Sequence, residues 1–125
     1  YGNIITLEDP IEYKLRPNLC IVSQREIGLH CDSFASGLKA ALRQDPDVIM
    51  VGELRDAETI STALAAAETG HLVLATLHTG SVIEAVDRMT QYFPPADRKA
   101  LLTELANSFI GIVAQRLFEN KYPPA

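Results

Sequence analysis

The chain has 125 residues, a net charge of −5 at pH 7 and a pI near 5.1. This length allows one domain, or part of one, with a substantial apolar core. The acidic balance argues against a nucleic-acid partner, because a basic face would be expected there. We find no apolar run long enough to cross a bilayer and no signal peptide. Since the chain opens at Tyr1 without a methionine, we interpret it as an internal piece of a larger protein.

The two cysteines, Cys20 and Cys31, are not arranged as a CxxC pair, which argues against a zinc site. The sequence leaves open whether the two cysteines form a disulfide. Two incidental thiols in a reduced, cytosolic chain fit the sequence better.

Short apolar runs alternate along the chain with segments of helical periodicity. Strands are predicted over Ile4–Leu7, Cys20–Ser23, Val48–Val51 and Leu72–Leu77, and helices over Phe34–Arg43, Ala57–Thr69, Val82–Tyr92 and Ala96–Phe118. The first two helices follow capping residues, Ser33 or Asp32 and then Asp56. Pro95 lies in the first turn of the last helix, and Gly70 is expected to end the second in a left-handed conformation. The alternation predicts an α/β fold, with a mainly parallel sheet covered on its faces by helices.

The third predicted strand, Val48–Val51, ends in Gly52 and then Glu53. A run of branched apolar residues is typical of a strand buried on both faces of a parallel sheet. A carboxylate at the tip of such a strand lies where open α/β sheets bind ligands. In nucleotide-hydrolysing folds this position holds the acid that orients Mg²⁺ or its water. The alternative is that Glu53 is simply the first polar residue after a core strand.

Three carboxylates, Glu8, Asp9 and Glu12, follow the first strand within five residues. Their mutual repulsion requires a cation, a water network or a metal-bound phosphate to offset it, although a solvated acidic turn is an equal alternative. The tripeptide Gln24–Glu26 after the second strand is interpreted as surface polarity.

His71 and His78 bracket the fourth predicted strand, which is expected to be buried like the third, and lie seven residues apart. At about 3.3 Å of rise per residue they are too distant to share a metal, and an odd spacing points them to opposite faces of an ideal strand. We expect His71 to act through packing or a subunit contact. His78, at the carboxyl end, is expected at the ligand edge.

Four segments in order, TLEDPIEY, SQREIG, LRQDPDVIMVGELRD and AAAETGHLVLATLHT, resemble the secretion and pilus motor ATPase superfamily. That family's names for such pieces are the Asp box, the Walker B region and the His box. The resemblance extends from Ile5 to about Leu117. Within the superfamily the chain is most similar to type IV pilus retraction (twitching motility) ATPases, because AVDRM at 85–89 is followed by YFPPADR at 92–98. It has no counterpart of the four-cysteine module that many pilus-extension and type II secretion relatives carry.

The resemblance implies a RecA-like P-loop NTPase fold that works as a homohexameric ring and hydrolyses ATP with Mg²⁺ at subunit boundaries. It also implies a cytoplasmic location at the inner membrane, reached only through partners such as a pilus platform protein. By position, Glu12 matches the catalytic carboxylate that polarises the attacking water, and Glu53 matches the Walker B acid on the Mg²⁺ side. The other matched residues, all associated with the nucleotide site, are Glu8, Asp9, Arg55, Asp56, His71 and His78.

The family's phosphate-binding loop has no match in this sequence. That loop needs Gly-x-x-x-x-Gly-Lys-Ser/Thr, and no lysine here is followed by Ser or Thr. In the family this loop, and an N-terminal domain that supplies arginines to a neighbouring nucleotide, lie upstream. We therefore expect the chain by itself to bind ATP poorly and to be inactive.

Two classes of function remain open for the whole protein. One is an ATP-driven motor subunit, for pilus retraction or alternatively for pilus extension or type II secretion. The other is a non-hydrolysing assembly module of the same fold. The retention of all four acids, Glu8, Asp9, Glu12 and Glu53, favours the motor. A phosphate-binding loop with its lysine (the Walker A motif) upstream of this chain would discriminate between the two classes.

Overall fold

The structure is a computed structural model that describes residues 2–108 and 110–115. Its strands are β1 Asn3–Glu8, β2 Ile21–Glu26, β3 Val48–Val51 and β4 Leu72–Ala75. Its α-helices are α1 Phe34–Leu42, α2 Ala57–Glu68, α3 Val82–Gln91 and α4 Arg98–Ser108. The strands form one parallel sheet in the order β2-β1-β3-β4. The predicted α/β class and parallel sheet are therefore confirmed.

The helices pack on one face of the sheet. Ile5 and Leu7 of β1 and Ile49 and Val51 of β3 are fully buried, and the register places them side by side. The helical side chains that complete this core are Phe34, Leu38, Ile60, Ala63, Leu64, Met89, Leu101 and Leu105. Burial of each large apolar side chain stabilises the fold by about 1.5–3 kcal/mol. These strands form because their alternate residues meet this helical layer.

The opposite face of the sheet is less covered, which corrects the prediction of a fourth buried strand. Leu72 and Leu74 of β4 are 43% and 52% exposed. Their register partners are Val48 and Met50, on the face away from the helices. Val73, between them, packs against the core. β4 lies at the edge of the sheet, so only its helix-facing side chains are covered.

Three strands end at residues other than those predicted. β1 ends at Glu8, one residue after the predicted end at Leu7. β2 continues from Ser23 to Glu26, so the polar tripeptide Gln24–Glu26 lies within a strand and not after it. Its backbone continues to pair with β1, and this pairing does not depend on side-chain polarity. β4 ends at Ala75, two residues before the predicted end at Leu77.

The last predicted helix, Ala96–Phe118, is wrong in its extent. Residues 95–97 form a 3₁₀ turn, α4 ends at Ser108, and residues 110–115 are not helical. Phe109 and residues 116–118 lie outside the described residues. Ile110 and Val113 are 90% and 94% exposed, and a helical turn without a buried apolar face is marginal in water. No helix in the described part of the chain is both long and apolar enough to cross a membrane.

The starts predicted for the first three helices are confirmed. Ser33 begins α1 in a reciprocal capping box with Ser36, which selects it over Asp32. Asp56 begins α2, where its Oδ1 accepts a hydrogen bond from the amide of Thr59 at 2.7 Å. Each such cap typically stabilises a helix by about 1 kcal/mol.

The two cysteines are free thiols, so the disulfide that the sequence left open is not formed. Burial raises the pKa of the Cys31 thiol, opposed by the charge of Arg25 and assisted by that of Asp32. A raised pKa leaves less thiolate at neutral pH, so this thiol is a poor nucleophile.

Candidate functional site

The carboxyl ends of the parallel strands bring several of the predicted site residues to one edge of the sheet. Glu8 is the last residue of β1, and Asp9 follows it directly. Glu53 comes two residues after the end of β3, and His78 three residues after the end of β4. The register pairs β1 with β3 and β3 with β4, so these ends are adjacent. This is the edge where open α/β sheets bind ligands.

Gly52 allows the turn that carries Glu53 to lie close to the end of β1. Its amide donates a hydrogen bond to the carbonyl oxygen of Leu7 at 2.7 Å. A Cβ atom at this position would lie 2.7 Å from the same oxygen, so only glycine fits. The turn is also tied to the segment after β4, because the amide of Leu54 donates to the carbonyl of Thr76 at 3.0 Å. The Thr76 hydroxyl donates in turn to the carbonyl of Gly52.

Arg55 joins two of the acids. Its Nε lies 2.6 Å from Oε2 of Glu53, and its Nη1 lies 2.9 Å from Oδ2 of Asp9. The guanidinium stacks over the ring of Phe34, with Cζ 5.1 Å from the ring centroid. The hydrogen bonds to Glu53, and then those to Asp9, raise the pKa of Arg55 above its ordinary value. Arg55 therefore offsets the repulsion between two carboxylates that β1 and β3 bring together.

His78 faces the other oxygen of Glu53. Its Nε2 lies 3.4 Å from Oε1 of Glu53, and the side chain is 81% exposed. The contact is an ion pair only when the imidazole is protonated. Glu53 is thus contacted on both oxygens, by Arg55 and by His78.

His71 lies at the opposite end of β4, away from the acids. Its Nδ1 is 3.0 Å from the carbonyl oxygen of Ala66 and 3.2 Å from the hydroxyl of Thr69. It therefore closes the C-terminal end of α2, next to Gly70, whose φ is +96° as predicted. Because β4 ends at Ala75, period-two alternation does not extend to His78; the two histidines are separated by the length of the strand.

Glu8 and Asp56, both predicted to be associated with the nucleotide site, already have intramolecular partners. Oε2 of Glu8 accepts hydrogen bonds from the hydroxyl of Thr6 at 2.8 Å and from Nε2 of Gln24 at 3.0 Å. The carboxylate of Asp56 caps α2. No ion pair among the described residues joins it to Arg55, which pairs instead with Asp9 and Glu53.

Glu12 stands apart from this cluster. It is exposed, in the loop between β1 and β2, and no hydrogen bond or ion pair among residues 2–108 and 110–115 involves its side chain. The residues that hold this loop, Gln24 and Glu26, were missed because a polar tripeptide was interpreted as surface polarity. Their period-two spacing on a strand next to Thr6 and Glu8 is the signal that could have found them.

A groove of about 850 Å³ lies along the open side of β4 and is lined mainly by apolar side chains. It reaches Thr76 and His78 at one end, but Glu8, Asp9, Glu12 and Glu53 do not line it. The groove is present because β4 forms an uncovered edge of the sheet. The candidate site is therefore the cluster of charged residues at the carboxyl edge of the sheet, and not this groove.

The positions of the histidines lead to a prediction about their replacement. In the protein that carries this chain, His78→Ala is expected to lower the ATP turnover that the resemblance implies, with the melting temperature nearly unchanged, because His78 is exposed and contacts Glu53. His71→Ala is expected to lower the melting temperature or weaken assembly, because it removes the contact with Ala66 at the end of α2. Thermal unfolding and steady-state turnover of both variants measure this. Unchanged melting curves and full turnover in both would exclude a nucleotide-linked role for either histidine.

The sequence pattern of the family described as "Type II/IV secretion system protein" matches residues 2–123. The chain is 56% identical over 120 residues to the uncharacterized protein YggR of Escherichia coli (strain K12), covering 96% of this chain and 37% of that protein. It is 46% identical over 118 residues to the twitching motility protein of Neisseria gonorrhoeae, covering 94% of this chain and 32% of that protein.

The fold is similar to the crystal structure of the pilus retraction motor PilT with bound ADP. The TM-score is 0.86 at 51% sequence identity, over 92% of this chain and 34% of that one. The chain therefore spans about a third of the length of these proteins, at 37%, 32% and 34%.

Proposed function

The chain belongs to the type II/IV secretion system protein family, and from that premise we propose that it carries the acidic half of the nucleotide site of a motor ATPase. The observation that carries the proposal is the cluster of Glu53, Arg55, Asp9 and His78 at the carboxyl edge of a parallel sheet. Phosphoryl transfer requires positioning and charge neutralisation, which such a cluster supplies.

The carboxylates of this cluster are the type of side chain that binds an ATP-bound Mg²⁺. Mg²⁺ is usually bound by one or two carboxylates together with substrate phosphates and water. No group of three or more His, Cys, Asp or Glu side chains in the described part of the chain converges on one point, so a protein-only metal cage is not built here. Glu53 is the residue that would hold the metal, through an intervening water molecule.

When bound, the metal neutralises charge that develops on the phosphates. The residues of this chain supply the rest. Glu53 is held at the edge of the sheet by the Gly52 turn, and Arg55 pairs with both Glu53 and Asp9. Glu12, whose carboxylate has no partner among the described residues, is free to accept a hydrogen bond from the attacking water and polarise it.

The work driven by this ATPase is proposed to be retraction of type IV pili. The segment Tyr92–Arg98 supports this over pilus extension or type II secretion, and one relative carries the name twitching motility protein. A solved relative is described as a pilus retraction motor with bound ADP. The protein would work as a homohexamer at the cytoplasmic face of the inner membrane, bound to a pilus platform protein, without nucleic acid.

A deletion experiment tests retraction against the other members of the family. Cells without the protein are expected to keep pili on their surface and to lose twitching motility, and the wild-type gene should restore it. Pilus staining, motility on agar and assays of secreted proteins measure the outcome. Loss of surface pili would instead indicate an extension motor, and loss of secretion with normal pili a secretion motor. A normal phenotype in all three assays, with no ATP turnover, would favour the non-hydrolysing assembly module.

A further inference from the structure

We infer that Gln24 and Glu26 are positioning residues that clamp the loop carrying Glu12, through hydrogen bonds to the backbone on both sides of it. The inference deepens the proposed function, since it concerns how the proposed water-polarising carboxylate is held. The clamp itself is a structural statement that can be tested without nucleotide.

Two side chains of β2 reach the loop at three backbone atoms. Oε1 of Glu26 accepts a hydrogen bond from the amide of Ile11 at 2.9 Å. Nε2 of Gln24 donates to the carbonyl oxygen of Tyr13 at 2.8 Å, and its Oε1 accepts from the amide of Leu15, also at 2.8 Å. The bonds to Ile11 and Tyr13 lie directly before and directly after Glu12 in sequence, and the bond to Leu15 lies three residues after it.

The orientation of the Gln24 amide is determined by its partners. The carbonyl of Tyr13 and the carboxylate of Glu8 can only accept, so both must face Nε2, while the amide of Leu15 can only donate and must face Oε1. The same side chain thus links the end of β1 to the loop that follows it. One residue ties Glu8 and the Glu12 loop together.

The strand geometry explains why these two residues make the clamp. Gln24 and Glu26 are two residues apart, so they point to the same face of β2. Their register partners are Thr6 and Glu8 on β1, and both side chains bond to the backbone of the loop. Arg25, between them, points to the other side and contacts Gln44.

Glu12 depends on this clamp because its own side chain is not anchored. No hydrogen bond or ion pair within the described ranges holds it. Its position relative to the rest of the site is therefore set by the backbone at residues 11 and 13. A displacement of about 1 Å of a catalytic group can cost roughly a hundredfold in rate.

The first test measures the loop directly, without ATP. Lys14 lies inside the clamped loop and is exposed, so tryptic cleavage after it reports release of the loop. We expect Gln24→Leu and Glu26→Leu to be cut at Lys14 several-fold faster than wild type, with little change in cleavage at Lys99. Ser23→Ala, in the same strand, is the control and should match wild type. Unchanged cleavage at Lys14 in both Leu variants would overturn the clamp.

The second test separates the hydrogen bond of Glu26 from its charge. Glu26→Gln keeps an oxygen that can accept from the amide of Ile11, whereas Glu26→Leu does not. We expect Glu26→Leu to lower kcat for ATP by about tenfold to a hundredfold with KM nearly unchanged. Glu26→Gln should restore most of kcat and protection at Lys14. A loss in Glu26→Gln as large as in Glu26→Leu would overturn the positioning role, because the charge itself would then be required.

A double-mutant cycle links the clamp to Glu12. If Glu26 acts through Glu12, adding Glu26→Leu to Glu12→Gln should cause little further loss of kcat. Losses that multiply would show that Glu26 acts independently and would overturn the inference. Full turnover in Glu12→Gln alone would reject the role proposed for Glu12, while the proteolysis result would still decide whether the clamp exists.

Discussion

Glu53→Gln is expected to abolish most ATP turnover, by at least about a hundredfold, while nucleotide binding is retained. The substitution removes the negative charge but keeps the shape and an oxygen that can accept from Nε of Arg55. Charge stabilisation at a bound metal is worth several kcal/mol in the transition state. Steady-state turnover and equilibrium binding of a fluorescent ATP analogue, both on the protein that carries this chain, measure the two effects separately.

Glu58→Gln is the matched control for this substitution. Glu58 is also a carboxylate and also paired with a cation, Lys39, but it lies on the exposed surface of α2, outside the cluster. Its replacement should leave turnover unchanged, since exposed ion pairs of this kind contribute little. Normal turnover in Glu53→Gln would leave Glu53 as an ordinary acid at the end of a strand.

Gly52→Ala is expected to destabilise the protein by about 2–4 kcal/mol. The added Cβ would lie 2.7 Å from the carbonyl oxygen of Leu7, which is backbone in a central strand and cannot move aside. Relief of that contact would break the hydrogen bond from the Gly52 amide to the same oxygen. Urea unfolding, with the slope of the transition compared between variants, gives the free energy of unfolding.

Gly80→Ala provides the comparison for the Gly52 variant. A Cβ at Gly80 would meet Oε2 of Glu84 at 3.4 Å, an ordinary contact with a flexible side chain. We expect a change in the free energy of unfolding within about 0.5 kcal/mol. If Gly52→Ala were as stable as Gly80→Ala, the close approach of β3 to β1 at this point would be incorrect.

Local sequence determined the elements whose signals are complete within a few residues. Val48–Val51 is a strand over its predicted length, and α2 begins after the predicted cap Asp56. The acids Glu8, Asp9 and Glu53 follow strands in the sequence, and parallel pairing places strand ends at one edge, so their common location could be predicted. The separation of His71 from His78 followed from the same reasoning.

Tertiary structure decided which partner each polar side chain has and how far each element extends. Nothing local indicates that Arg55 bridges Asp9, 46 residues earlier in the chain, or that Gln24 reaches Tyr13 and Glu8. β2 extends through polar residues because β1 supplies its backbone partners, and α4 ends at Ser108, beyond which exposed residues such as Ile110 have no core to contact. Hydrophobic periodicity identifies which residues can be buried, whereas contacts between distant segments depend on the register of the sheet and on which of its faces is covered.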